Sequence, residues 1–474
     1  MAERKSIFAN VSALAAGQMI AMGLGFVTHA ILARAVGPAD YGILGFSLAV
    51  VSYFGIAAAL GTDSWAAREI STRRSEARAI VETILSLRIA LTLLSFGGLL
   101  IFITIWRPEP IVAYMLLIQS VGLFSAALTL DFAFQGMERM NAIARRFILS
   151  ALVALAGIAT SVSLGGSIVV ASSLLQLAAA VSAIVMIWEF TRIVGCPRPQ
   201  WQIEEWRRIL REATPLAVTV LVTTVYIYID IVMLGILRPG TEVGQYVAST
   251  RILAVGLVAA SILRSAILPV LARLQSSPVE RKDIGTHHAR LVATAGSLAA
   301  VGGFLLAPEI LEIVFGTDFR DAANTLRILM ICLLLMNAIE VFHTQLVAWR
   351  LQTQQMWIII AGTAANIGLN AVLIPRYGME GAASATLVSS VLILALAAIV
   401  LRRNGYETHA GPMAAAMLLA VALGVFGWQI DAPVDGTMTR VLVIGCAVTV
   451  AYAALAWILG IAKPVETFRR FNRP

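Results

Sequence analysis

Charge is scarce in this 474-residue chain: 13% of residues are charged, 59% are hydrophobic and the mean hydropathy is +0.86. Soluble domains carry about 25% charged residues, so a water-exposed globular fold is excluded. Lysine is nearly missing, with only Lys5, Lys282 and Lys463, which leaves arginine as the chain's cation. The cysteines, Cys196, Cys332 and Cys446, form no disulfide framework: one falls in a predicted loop and two fall within apolar runs. No GxxxxGK[ST] phosphate loop occurs, which excludes an ATP engine in the chain itself. The longest polar gaps, residues 62–80 and 191–212, are too short to hold a folded catalytic domain. His287 and His288 lack further ligands at metal-binding spacing, so no metal or other cofactor is assigned.

What the chain has in abundance is apolar length. Fourteen runs match the ~20 residues that a helix needs to cross a ~30 Å hydrocarbon layer. They span about 10–34, 42–61, 81–106, 110–135, 147–165, 167–190, 213–237, 246–272, 289–315, 324–349, 355–374, 378–401, 411–430 and 438–461. Their uninterrupted character predicts an all-α integral membrane fold and excludes a β-barrel. MAERKSIF precedes the first run without a cleavage site, so that run is expected to stay as an anchor.

Basic residues alternate strongly between the loops. One set, which includes both termini, holds 25 of the 35 Lys and Arg residues, the other holds 7, and Arg88, Arg251 and Arg264 lie within runs. The positive-inside rule then predicts that both termini are cytoplasmic. The net charge of +8 follows from this asymmetry and from attraction to anionic inner-leaflet lipid; no nucleic-acid partner is needed. The gap DSWAAREISTRRSEARAI sets Trp65 and Ile70 among basic residues and reads as an amphipathic segment along the inner surface.

The Pro- and charge-rich stretch GCPRPQWQIEEWRRILREA divides the first six runs from the rest. The expected organisation is an N-lobe over 1–193, a cytoplasmic linker over 194–212, a C-lobe over 213–403 and a two-helix extension with a tail over 404–474. Two internal matches support duplicated, pseudo-symmetric six-helix lobes. GGSIVVASSLLQ pairs with YGMEGAASATLV, and LARAVGPADYGILGFSLAV pairs with LGILRPGTEVGQYVASTRILAV. Lobes repeated in this parallel sense place substrate between them.

Charges within apolar runs need a reason, because each costs on the order of 3 kcal/mol at the bilayer centre. Asp230 and Arg251 fall at one level of the seventh–eighth hairpin, as either a structural ion pair or substrate- and ion-facing groups. Arg88, Asp131, Arg264, Glu340 and His343 lie within ~15 Å of the predicted inner surface, at 1.5 Å per helical residue. Arg88 and Arg264 either snorkel to lipid phosphates or join a network that gates a cavity and meets an anionic substrate. His29 is either a hydrogen-bonded packing residue or a proton-coupling one. Tyr226, Tyr228 and Tyr246 read as interfacial anchors or as sugar-stacking surfaces.

Six strings in order carry a resemblance: LARAVGPADYGILGFSLAV, GTDSWAAREI, DFAFQGMERM, DIVMLGILRPGTEVGQYVASTRI, APEILEIVFGTDFRDAANTLRILM and IPRYGMEGAASATLVSSVL. They resemble the bacterial polysaccharide-transport proteins, the lipid-linked oligosaccharide flippases of the multidrug, oligosaccharidyl-lipid and polysaccharide exporter superfamily. The resemblance implies two six-helix bundles with two added helices, working by alternating access in the bacterial cytoplasmic membrane. It implies a polyprenyl-pyrophosphate-linked glycan as substrate, with membrane lipids and a polysaccharide polymerase or glycosyltransferases as partners. For such a substrate Arg264, Arg251 and Arg88 are the candidate pyrophosphate donors, and Asp230, Asp131, Glu340, His343 and His29 are the candidate gating or ion-coupling groups. A cation-coupled multidrug exporter and a lipid-linked peptidoglycan-precursor flippase are alternatives within the superfamily. An integral-membrane glycosyltransferase or polymerase is the alternative of another class; the short loops and the lack of a DxD carboxylate pair argue against it.

Overall fold

The computed structural model describes residues 2–274, 277–429 and 436–461, and all its regular structure there is helical. The helices are α1 (Ala2–Ala59), α2 (Thr62–Thr72), α3 (Ala77–Trp106), α4 (Pro110–Leu128), α5 (Asp131–Gly136), α6 (Met140–Ser163), α7 (Ile168–Val194) and α8 (Ile203–Leu237). They continue as α9 (Thr241–Arg273), α10 (Pro278–Leu305), α11 (Ala307–Phe315), α12 (Ala323–Ala348), α13 (Gln352–Arg403), α14 (Ala410–Gln429) and α15 (Thr437–Ile458). Among the described residues, eleven helices are long and apolar enough to cross a membrane, or twelve if the α10–α11 pair, bent by 83°, is one broken span. The tail residues Lys463, Arg469, Arg470 and Arg473 lie outside the described residues.

Two helices are far longer than one crossing. α1 has 58 residues and α13 has 52, and each is interrupted at one glycine, Gly37 (φ 77°, ψ 173°) and Gly378 (φ 54°, ψ −132°). Such dihedrals are closed to side chains with a Cβ, and each glycine has a proline close by, Pro38 and Pro375. The chain folds back at both points. His29 and Tyr41, twelve residues apart, would be ~18 Å apart along a straight helix, yet their ring centroids are separated by 6.1 Å. In α13, Gly362 packs directly on Ile393, thirty-one residues further on. Glu242 fastens the second corner by accepting from the Met379 N–H at 2.9 Å, while Arg238 donates to the Pro375 carbonyl at 2.7 Å.

Local chemistry sets the other boundaries. Pro110 and Pro278 begin α4 and α10, where a missing N–H is harmless. α3 ends on Arg107 in the left-handed conformation, just before Pro108. Between α4 and α5, Thr129 adopts an extended conformation (φ −75°, ψ 126°), which breaks what the sequence presents as one apolar run.

The helices gather into two compact units, Met1–Val232 and Met233–Pro474. In the first, α1 packs along α3, α4 and α6, and α7 lies against α4 and α6. A buried hydrophobic cluster joins α2 to α5: Trp65 and Ile70 are buried with Phe132, Phe134 and Phe190. The amphipathic segment thus exists, but its apolar face is covered by protein. The Pro-rich stretch before α8 is strapped to α3 through Glu82, which accepts from the Arg198 N–H at 3.0 Å and from Gln200 Nε2 at 2.7 Å. In the second unit, α12 packs against α9, α10 and α13, and α14 and α15 add to the α10 side.

Candidate functional site

In the first unit a cavity of about 300 Å³, with charged side chains set among apolar ones, lies at the break between α4 and α5. Because Thr129 leaves the helix, its carbonyl has no partner further along α4 and turns to Arg88, which donates Nη1 at 3.3 Å. Arg88 also donates Nε to Thr62 Oγ1 at 3.0 Å, and its Cζ lies 4.6 Å from the Phe132 ring centroid. Its Nη2 stands 2.5 Å from Asp63 Oδ1, an ion-pair distance without hydrogen-bond alignment. Across the same cavity Asp131 opens α5 and receives a two-pronged bond from Arg146, Nε at 2.7 Å and Nη2 at 2.5 Å. Two guanidiniums and two carboxylates therefore face one space.

In the second unit Arg264 of α9 forms an ion pair with Glu340 of α12, with Nε 2.9 Å from Oε1. The arginine side chain is 48% exposed and the glutamate 22%, so one edge of the guanidinium is tethered while much of it stays accessible. His343 lies one turn beyond Glu340 on α12, with Nε2 buried and without a hydrogen-bond partner. Arg251 is half-buried on α9. A second cavity, of about 660 Å³, lies between α14 and α15 in this unit. Arg327, Trp428 and Arg440 stand beside apolar side chains there, with Arg327 Cζ 4.4 Å over the Trp428 ring.

Several sequence expectations meet in these clusters. Arg88 shares a cavity with Asp131, and Arg264 pairs with Glu340 beside His343. Asp230 is buried in the first unit and Arg251 belongs to the second, so their expected hairpin runs across the division between the units. The His29 Nδ1 lies 3.4 Å from the Tyr41 hydroxyl inside the α1 fold-back. Tyr246 is only 1% exposed, so it is a core residue rather than an interfacial anchor. Asp63 and Arg146 went unnoticed in the sequence because each sits beside a basic loop and reads as part of it. The one available signal was Arg146 next to Phe147, at the point where apolar periodicity resumes.

These helices, with charges enclosed between them, define an all-helical, multi-pass membrane protein. A family model described as "Polysaccharide biosynthesis protein" matches residues 7–275, and the chain belongs to that family. A probable low-salt glycan biosynthesis flippase, Agl15 of Haloferax volcanii, is 27% identical over 167 residues. That alignment covers 35% of each chain, about a third of the curated relative's length. Among solved structures, the lipid II flippase MurJ in an inward closed conformation superposes with a TM-score of 0.76 at 12% identity, covering 95% of this chain and 99% of that one. An inward-facing multidrug resistance MATE family transporter of the MOP superfamily gives 0.65 at 15% identity, covering 87% and 96%. At such identities these two likenesses speak for the fold.

Proposed function

We propose that this protein is a flippase that moves a polyprenyl-pyrophosphate-linked oligosaccharide across the bacterial cytoplasmic membrane by alternating access, for surface polysaccharide assembly. The observation that carries the reading is Arg264, tethered to Glu340 by one edge and otherwise accessible beside His343. A guanidinium offers five N–H donors, and a phosphate needs a planar pair of them, so an arginine held in this way is pre-oriented and still has donors to give. Arg88 differs: its Nε, Nη1 and Nη2 all face protein oxygens, which suits positioning of the cavity wall. Arg251 is the second candidate donor, and Asp230, Asp131, Glu340, His343 and His29 are the groups through which an ion gradient would act. The cavity beside α14 and α15 has the apolar lining that a polyprenyl tail requires.

In this reading the membrane is crossed fourteen times, with α1 and α13 counted as two crossings each and the α10–α11 pair as one. Both termini then lie on the cytoplasmic side, in two six-helix lobes with a two-helix extension, and a polymerase or glycosyltransferases act alongside. The test is a proteoliposome assay with a labelled polyprenyl-pyrophosphate oligosaccharide, run with and without sodium and proton gradients. Arg264→Glu should lower flipping about 10- to 100-fold, the worth of one charge-assisted contact of about 1.5–3 kcal/mol, while the protein still inserts and folds. Undiminished flipping by that variant refutes the role of Arg264. Drug efflux without glycan flipping refutes the substrate.

A further inference from the structure

A second arginine cluster lies beside the site above and shares Arg146 with it. Between α6 and α7, at the end of the first unit that carries the basic loops, lies a cavity of about 530 Å³. Four arginines line it: Arg139 at the start of α6, Arg145 and Arg146 in its first two turns, and Arg192 in the last turn of α7. Two of the charges are answered. Arg145 pairs with Glu189, and Arg146 is held by Asp131. Among the described residues no carboxylate pairs with Arg139 or Arg192, and the Arg192 Cζ lies over the Trp188 ring, 3.8 Å from its centroid. The wall beside the charges is apolar and open, with Val185 38%, Trp188 53% and Ile193 37% exposed.

We propose that this cavity binds the headgroup of an anionic membrane lipid carrying two phosphates, independently of the transported substrate. Two guanidiniums in excess match a doubly charged headgroup, and arginine presents paired donors to phosphate oxygens. Exposed Val185 and Ile193 on a membrane helix suit the first methylenes of acyl chains. Trp188, amphipathic and exposed, has the character of a side chain at headgroup depth. Basic pockets between transmembrane helices on the cytoplasmic side recognise such lipids. Arg146 lines this cavity and the Arg88 cavity alike. A phosphate drawn to Arg146 therefore competes with Asp131 and links lipid occupancy to the wall of the other cavity.

Native mass spectrometry of the full chain in neutral detergent, titrated with cardiolipin, phosphatidylcholine or inorganic pyrophosphate, tests this. Cardiolipin should bind and phosphatidylcholine should not. Arg139→Gln with Arg192→Gln should weaken cardiolipin about fivefold per arginine, as expected for one cation near a lipid surface. Glu189→Gln releases Arg145 and should tighten binding, a gain that misfolding cannot produce. Equal cardiolipin affinity in the wild type and the double variant overturns the proposal, as does a Glu189→Gln variant that binds no tighter. Displacement by inorganic pyrophosphate at the same concentration as cardiolipin also overturns it, since the site would then read a soluble anion.

Discussion

Removing the exposed member of the Arg88–Asp63 pair should harm the protein more than removing the buried one. The Arg88 side chain is 4% exposed and that of Asp63 is 56% exposed. At a charge separation of ~4 Å and an effective dielectric of ~20, the attraction is about 4 kcal/mol. Asp63 keeps roughly half its contact with solvent, and screening trims its contribution to about 2–3 kcal/mol. Asp63→Asn forfeits that amount and strands a buried guanidinium, so its expected penalty is about 2–4 kcal/mol. Arg88→Met also loses the bonds to Thr62 and Thr129 and the contact with Phe132. It regains, however, a desolvation penalty of several kcal/mol, and Thr62 remains satisfied by its bond to the Ala59 carbonyl. The expected net change for Arg88→Met is within about 1–2 kcal/mol, and the double variant should resemble it rather than Asp63→Asn. Equilibrium unfolding in mixed dodecyl sulfate and maltoside micelles, followed by tryptophan fluorescence, measures all three. An Arg88→Met penalty above that of Asp63→Asn, or a double variant as weak as Asp63→Asn, refutes the argument.

Two further outcomes are expected. Gly378→Ala should destabilise the fold by about 1–3 kcal/mol, because its dihedrals exclude a side chain and the new methyl would meet the Glu242 carboxylate; unfolding within ~0.3 kcal/mol of wild type would show that the corner relaxes freely. His409, between α13 and α14, is buried against Gly285 and Thr286, and burial pushes its imidazole from 6.5 down to about 4. The unfolded chain therefore takes up a proton that the folded one refuses. This contribution is complete above pH 6.5 and drains away as the pH falls towards 4. Melting temperatures from pH 7.5 to 4.5 should fall less steeply for His409→Asn than for wild type, and parallel slopes would remove His409 from the account.

The helices could be read from the sequence because a bilayer imposes a length, and fourteen apolar runs answer to it. The corners at Gly37 and Gly378 could be placed because glycine and proline sit together between two runs. What the sequence concealed is pairing across distance. Arg88 finds Thr62, Asp63 and Thr129, and Asp131 finds Arg146, only after α2 to α6 have packed. Periodicity carries no information about such contacts. Counting charges by loop even pointed away from Arg146, since a basic residue near a helix end serves topology and chemistry equally well. Arg264 and Glu340 stood out because each interrupts an apolar run, although nothing in the spacing required them to meet. The break at Thr129 was hidden for the opposite reason: it is made from residues that suit an uninterrupted helix.

The corners in α1 and α13 bear on how the chain enters its membrane. Each reverses direction within a few residues, so no polar loop has to be carried across with it. The charges flanking each corner also cancel, Arg34 with Asp40 and Arg376 with Glu380. Insertion of each hairpin as one unit exposes the translocation machinery to no net charge at the tip. In the proposed orientation the segments richest in arginine stay on the side where they were made.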